Sequence, residues 1–152
     1  MTSTHEDRAE RAAREFADAV VDLVGADGES TISTPEAEFD VVVKISPRRA
    51  DAVALEVMIF GTEQVVVYAR RPALGWWTFG GTTATADAWA VIQQIVDRGG
   101  QVIVEKRGNF LRHGIVRLHD TDGALIQSME DGGAGPWKRI TTFPPYRVPS
   151  SA

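Results

Sequence analysis

Three successive runs of the chain alternate in chemical character with a period of two, and this limits the fold more than any other feature. In EFDVVVKISP, residues Phe39, Val41, Val43 and Ile45 share one parity. In the next run Val53, Leu55, Val57 and Ile59 alternate with Ala54, Glu56, Met58 and Phe60, and QVVVYAR follows. Neighbouring side chains of a strand point to opposite faces, so each run has one face fit for a core. The connections, Pro47-Arg48-Arg49 and Gly61-Thr62-Glu63, are short. Short turns between alternating strands demand antiparallel neighbours, here a meander with one covered face.

Two helical patterns supply the cover. From Thr4 to Val24, residues Ala9, Ala12, Ala13, Phe16, Val20, Leu23 and Val24 recur at helical spacing. Asp7 with Arg11 and Glu10 with Arg14 form i,i+4 pairs on the wet side, and Gly25 ends the helix. ADGESTISTPEAE then reads as a polar linker. The second helix spans Ala84 to Arg98, with Ala88, Val91, Ile92 and Ile95 as its buried stripe, Trp89 at the stripe's edge, and Gly99-Gly100 as its stop.

GWWTFGG, residues 75–81, is a short fourth strand before that helix. Its adjacent tryptophans must face opposite ways. Trp77 shares parity with Phe79, and Trp76 with Thr78. The more apolar pair belongs under the helices, so Trp77 is assigned to the core and Trp76 to the outer face. Beyond the second helix, QVIVEKR is a fifth strand, and IVRLHDTDGALIQSM is a hairpin turning at Asp122-Gly123 with a two-residue type I′ turn. Residues 138–152 carry Pro144, Pro145 and Pro149 and suit an extended strip rather than a central strand.

The predicted fold is α+β: two layers, a mainly antiparallel sheet of six to seven strands with two helices on one face, in the order α-β-β-β-β-α-β-β-β. Residues 1–34 form an acidic helix and linker, 35–131 the core domain and 132–152 a Gly/Pro-rich tail. In element order alone this resembles the small secretion-chaperone folds, although a proline-rich tail replaces their closing helix and no motif carries the likeness.

Composition excludes several chemistries. The 152 residues include no cysteine, which removes disulfides, thiolate nucleophiles and cysteine-bound zinc. The histidines are His5, His113 and His119. The last two share parity but stand roughly 20 Å apart along a strand, so no metal site is expected. Asp120-Thr121-Asp122-Gly123 imitates the start of a calcium loop, but its glycine comes too early and Ala124 replaces a ligand. The glycine stretches lack a Gly-Lys-Ser/Thr ending, and no Gly-x-Ser-x-Gly elbow occurs. No cofactor is expected. No apolar run is long enough for a membrane span, and MTSTHEDRAERAAREF lacks the apolar core of a signal peptide. A cytoplasmic location is the expectation, in keeping with the absence of cysteine.

The net charge of −5 conceals an asymmetry. Residues 1–40 hold 11 acids against three bases, and residues 41–152 hold 10 acids against 13 bases. Lys106, Arg107, Phe110 and Arg112 cluster in EKRGNFLRHGIVR. A basic stretch with an interleaved aromatic could grip single-stranded nucleic acid. In an acidic chain it reads better as a solvated hairpin end, a small-ligand contact or a docking face for an acidic partner, and tight nucleic-acid binding is not expected.

The outer sheet face carries the sharper signal. Met58, Phe60, Tyr68 and Trp76 lie on the parity away from the helices, with Arg70 beside them. Such a face is too apolar to be left wholly wet. It is covered by the tail, by the Arg70-Arg71 stems, by a second copy of the chain or by a protein partner. The expected function is a non-catalytic protein-interaction module, a small chaperone-like or immunity-type binding protein. The alternative is a small-molecule-binding protein or enzyme with a pocket between sheet and helices, using Glu56, Glu63, Glu105 or Tyr68.

Overall fold

Ala13, Ala17, Val20 and Val24 are fully buried along α1 (His5–Val24) and set that helix against a sheet. The computed structural model describes residues 5–33, 41–60, 63–71, 75–106, 114–131, 135 and 137–147. Glu10 and Arg14 pair across one helical turn at 3.8 Å, while the Asp7 side chain lies outside the described residues. A 3₁₀ turn at Gly25–Asp27 follows, entered through Gly25 at φ 53°.

The first sheet is an antiparallel meander of β1 (Gly28–Ser33), β2 (Val41–Pro47), β3 (Ala54–Phe60), β4 (Gln64–Arg71) and β5 (Gly75–Gly80), in that order. The predicted parity holds in its core. Val41, Val43, Ile45, Leu55, Val57, Ile59, Val65, Val67, Ala69, Trp77 and Phe79 are all buried. α1 packs on β1 to β3, and α2 (Ala84–Gln93) on β4 and β5. The helices touch edge to face through Phe16 and Trp89, with ring centroids 6.3 Å apart. α2 runs on into a π turn at Gln94–Arg98, and Ala88, Val91, Ile92 and Ile95 are buried as the spacing predicts.

The second sheet holds β6 (Gly100–Lys106), β7 (Gly114–His119), β8 (Leu125–Asp131) and β9 (Trp137–Phe143), all antiparallel, in the order β8-β7-β6-β9. The chain is thus α+β, with the described strands divided between sheets of five and four. The two sheets meet where β5 begins. A Cβ on Gly75 would lie 3.0 Å from Val116 Cγ1 and 3.4 Å from Val102 Cγ1. Glycine lets the edge of the first sheet rest directly on the inner face of the second.

Three local readings change. Residues 28–33 lie in the expected linker yet form β1, which has one apolar side chain and is held by backbone pairing to β2. β9 takes part of the expected tail as an edge strand and stops at Phe143, because Pro144 and Pro145 have no N–H to donate. The hairpin between β7 and β8 stands, but its turn is not type I′, since no non-glycine residue among the described residues, Asp122 included, has positive φ. The Gly123 N–H donates to Asp120 O, leaving Thr121 and Asp122 at the corners and Gly123 after them at φ 90°. Asp120 Oδ1 accepts from the N–H groups of Asp122 and Ala124 at 2.9 and 2.8 Å. The apparent calcium carboxylate is a turn acceptor.

Past β9 the chain forms a strap. The Tyr146 N–H donates to Val96 O at 2.8 Å, and its hydroxyl donates to Val53 O at 2.6 Å. Arg49 Nη1 reaches the carbonyls of Pro145 and Arg147, and Arg147 pairs with Asp27 at 2.9 Å. Gly99 makes room for the strap. It sits at φ 71°, and a Cβ there would lie 2.6 Å from Phe143 O and 2.7 Å from backbone atoms of Pro144 and Pro145. Gly99→Ala is expected to cost about 2–4 kcal/mol in urea denaturation, because backbone cannot step aside as a side chain can.

Candidate functional site

The outer face of the five-stranded sheet is built in rows by strand register. Lys44, Glu56, Tyr68 and Trp76 lie opposite one another across β2 to β5. Beside them runs Val42, Met58, Val66 and Thr78, and then Phe60 opposite Gln64. Both described helices occupy the other face. Val42 and Val66 are buried although they point away from the helices. Tyr68 is 38% exposed and Phe60 is 36% exposed, whereas Met58 and Trp76 are half-buried. Trp77, one residue on, is fully buried, so the two tryptophans divide between the faces as parity requires.

Glu56 on this face is flanked by two cations. Arg70 Nη1 lies 2.9 Å from Glu56 Oε2 on a diagonal between β3 and β4, and Lys44 stands opposite Glu56 on the other side. Diagonal and opposite neighbours are the pairs a sheet face brings within reach. The apolar residues therefore share the face with a neutralised carboxylate. Five residues singled out from the sequence (Met58, Phe60, Tyr68, Arg70 and Trp76) come together here. Val42 and Lys44 complete the face; the parity of FDVVVKI carries that signal.

The basic cluster lies outside the described residues. Arg107, Phe110, Arg112 and His113 lie outside them, as does the Lys106 side chain, although Lys106 ends β6 opposite Gly114 and Trp137. The second sheet instead gathers a different group on its outer face. Glu105 Oε1 is 3.1 Å from Arg117 Nη1 and 3.9 Å from Lys138 Nζ. Three strands contribute to that triad, and no local spacing announces it.

The candidate acids are therefore spoken for by cations: Glu56 by Arg70, and Glu105 by Arg117 and Lys138. Glu63 is exposed at the turn before β4. His119 Nδ1 lies 3.1 Å from Gly123 O in the hairpin. Among the described residues no group of three or more His, Asp or Glu side chains is placed to hold a metal ion. No helix among them is long and apolar enough to cross a membrane. The one buried side-chain polar atom without a hydrogen-bond partner among the described residues is Trp77 Nε1, on the core side of β5. Set against family models, curated proteins and solved structures, the chain matches none.

Proposed function

We infer that the chain is a non-catalytic protein-interaction module whose outer sheet face pairs with a second copy of itself. The observation that carries this reading is the exposure of Phe60 and Tyr68 beside half-buried Met58 and Trp76, on the face opposite both helices. A partially exposed apolar surface of this kind gains free energy by leaving water. The choice of a second copy rests on symmetry. The Glu56–Arg70 pair is satisfied within one chain, and a two-fold axis supplies a matching apolar surface at once. The described part of the tail is committed elsewhere, with β9 on β6 and Tyr146 in the core. The ion pairs on Glu56 and Glu105 support binding rather than catalysis, because a general base must be free to take a proton.

Sedimentation equilibrium tests the reading. The chain is expected to dimerise as its concentration rises. Met58→Glu combined with Tyr68→Glu places charge in the centre of the face and is expected to raise the dissociation constant at least tenfold, with an unchanged circular dichroism spectrum. A chain that stays monomeric at high concentration, or a dimer that survives both substitutions, would overturn it.

A further inference from the structure

We propose that the open edge of β9 accepts an extended acidic segment of another protein as an added strand. β9 ends the order β8-β7-β6-β9 and, among the described residues, is paired on one side only, to β6. No backbone hydrogen bond among the described residues reaches the outer side of residues 138–142. Such an edge is a row of donors and acceptors ready to pair with a further strand. The opening is about five residues long, some 17 Å of extended chain. It closes at Phe143, which is buried, and at the prolines beyond it.

The side chains around this edge specify the occupant. Lys138 and Arg139 are both exposed, and β9 contains no acid. Being adjacent, they point to opposite faces and would flank an incoming strand on both sides. Lys138 and Arg117 share Glu105, so two cations stand beside one carboxylate, and with Arg139 on the other face the edge stays positive in a chain of net charge −5. Ile140 is 52% exposed on the Lys138 side, opposite Ile103, and offers an apolar contact to alternate side chains of the added strand. Exposed basic residues commonly protect an edge from pairing with its own kind. Here the same charges do two things. They repel a second β9 laid alongside, and they attract a strand carrying Glu or Asp.

This site is separate from the outer face of the first sheet, and the test keeps the two apart. The probe is a nine-residue end-capped peptide alternating Glu with Val and Thr. It is compared with the same peptide carrying Lys for Glu, and with the acidic peptide N-methylated at alternate amides. Saturable binding of the acidic peptide is expected, weakening as salt rises, with new amide protection against hydrogen exchange at residues 138–142. The Lys peptide and the N-methylated peptide are expected not to bind. Lys138→Glu with Arg139→Glu should weaken binding about tenfold or more. Lys138→Gln with Arg139→Gln, a milder change beside Glu105, should weaken it in the same direction. Met58→Glu with Tyr68→Glu should leave it unchanged. Equal binding of the N-methylated peptide would mean attraction without strand addition and would overturn the proposal. So would unchanged affinity in the Gln variant. A third contrary result is head-to-tail assembly of the chain that Glu29→Lys in β1 abolishes, which would make the occupant the acidic edge of a second copy.

Discussion

Alanine at Trp77 is expected to remove about 3–5 kcal/mol of folding stability, the cost of emptying a large aromatic site that the core cannot fully close. The ring is fully buried on the inner face of β5, across from Val67 and above Gly75. That cost is a large share of the roughly 5–15 kcal/mol that holds a domain folded. Trp76→Ala, at a half-buried ring on the opposite face, is expected to cost about 1–2 kcal/mol in the same assay. Trp77→Phe adds a finer test. It shrinks the ring but also removes the indole N–H, which is buried without a partner. Such an orphan donor costs about 1–3 kcal/mol, so phenylalanine should recover much of what alanine loses. Urea denaturation of the three variants reads all of this. A greater loss in Trp76→Ala than in Trp77→Ala would reverse the face assignment.

The strap gives the second large effect. Tyr146→Ala is expected to cost about 3–5 kcal/mol, since the side chain is fully buried and ties the segment after β9 to Val53, just before β3. Tyr146→Phe keeps the ring and loses the hydroxyl's bond to Val53 O, leaving a carbonyl unsatisfied at a cost of about 1–3 kcal/mol. The two variants also differ from the wild type in their response to pH. Burial pushes the Tyr146 phenol well above its ordinary value of about 10. The folded chain holds this proton under conditions where the unfolded chain releases it. The contribution is therefore complete below about pH 10 and is lost as pH rises toward the folded value, at about 1.4 kcal/mol per pH unit. The wild type's advantage over Tyr146→Phe should shrink above pH 10 and stay constant below it. A constant difference through that range would place the hydroxyl in water.

What the sequence reveals follows from which interactions leave a local pattern. Parity along Val41–Ile45, Leu55–Ile59 and Trp77–Phe79 is a property of single strands, so the core face of the first sheet is readable residue by residue. The stripe of Ala88, Val91, Ile92 and Ile95 is equally local. Neighbour relations between strands are not. Nothing in QVIVEK says that this strand starts a new sheet, and the cause is tertiary: β5 abuts the second sheet through Gly75. GESTIS lacks alternation because β1 lies at an edge and is held by its backbone. Tyr146 follows two prolines, and its burial depends on Val53 and Val96, both distant in sequence. The candidate face was legible as a parity class. The Glu105, Arg117 and Lys138 triad was not, because it needs the register of three strands.

Trp76 and Trp77 are neighbours in sequence with different surroundings, one half-buried on the outer face and one enclosed in the core. Labelling the four tryptophans with 5-fluorotryptophan and following their fluorine resonances over a range of protein concentrations tests this directly, with Trp76→Phe and Trp77→Phe supplying the assignments. The Trp76 resonance is expected to move as the chain self-associates through the outer face, while the Trp77 resonance stays fixed in the core. A Trp76 resonance that holds its position while the chain dimerises would contradict the outer face as the interaction surface.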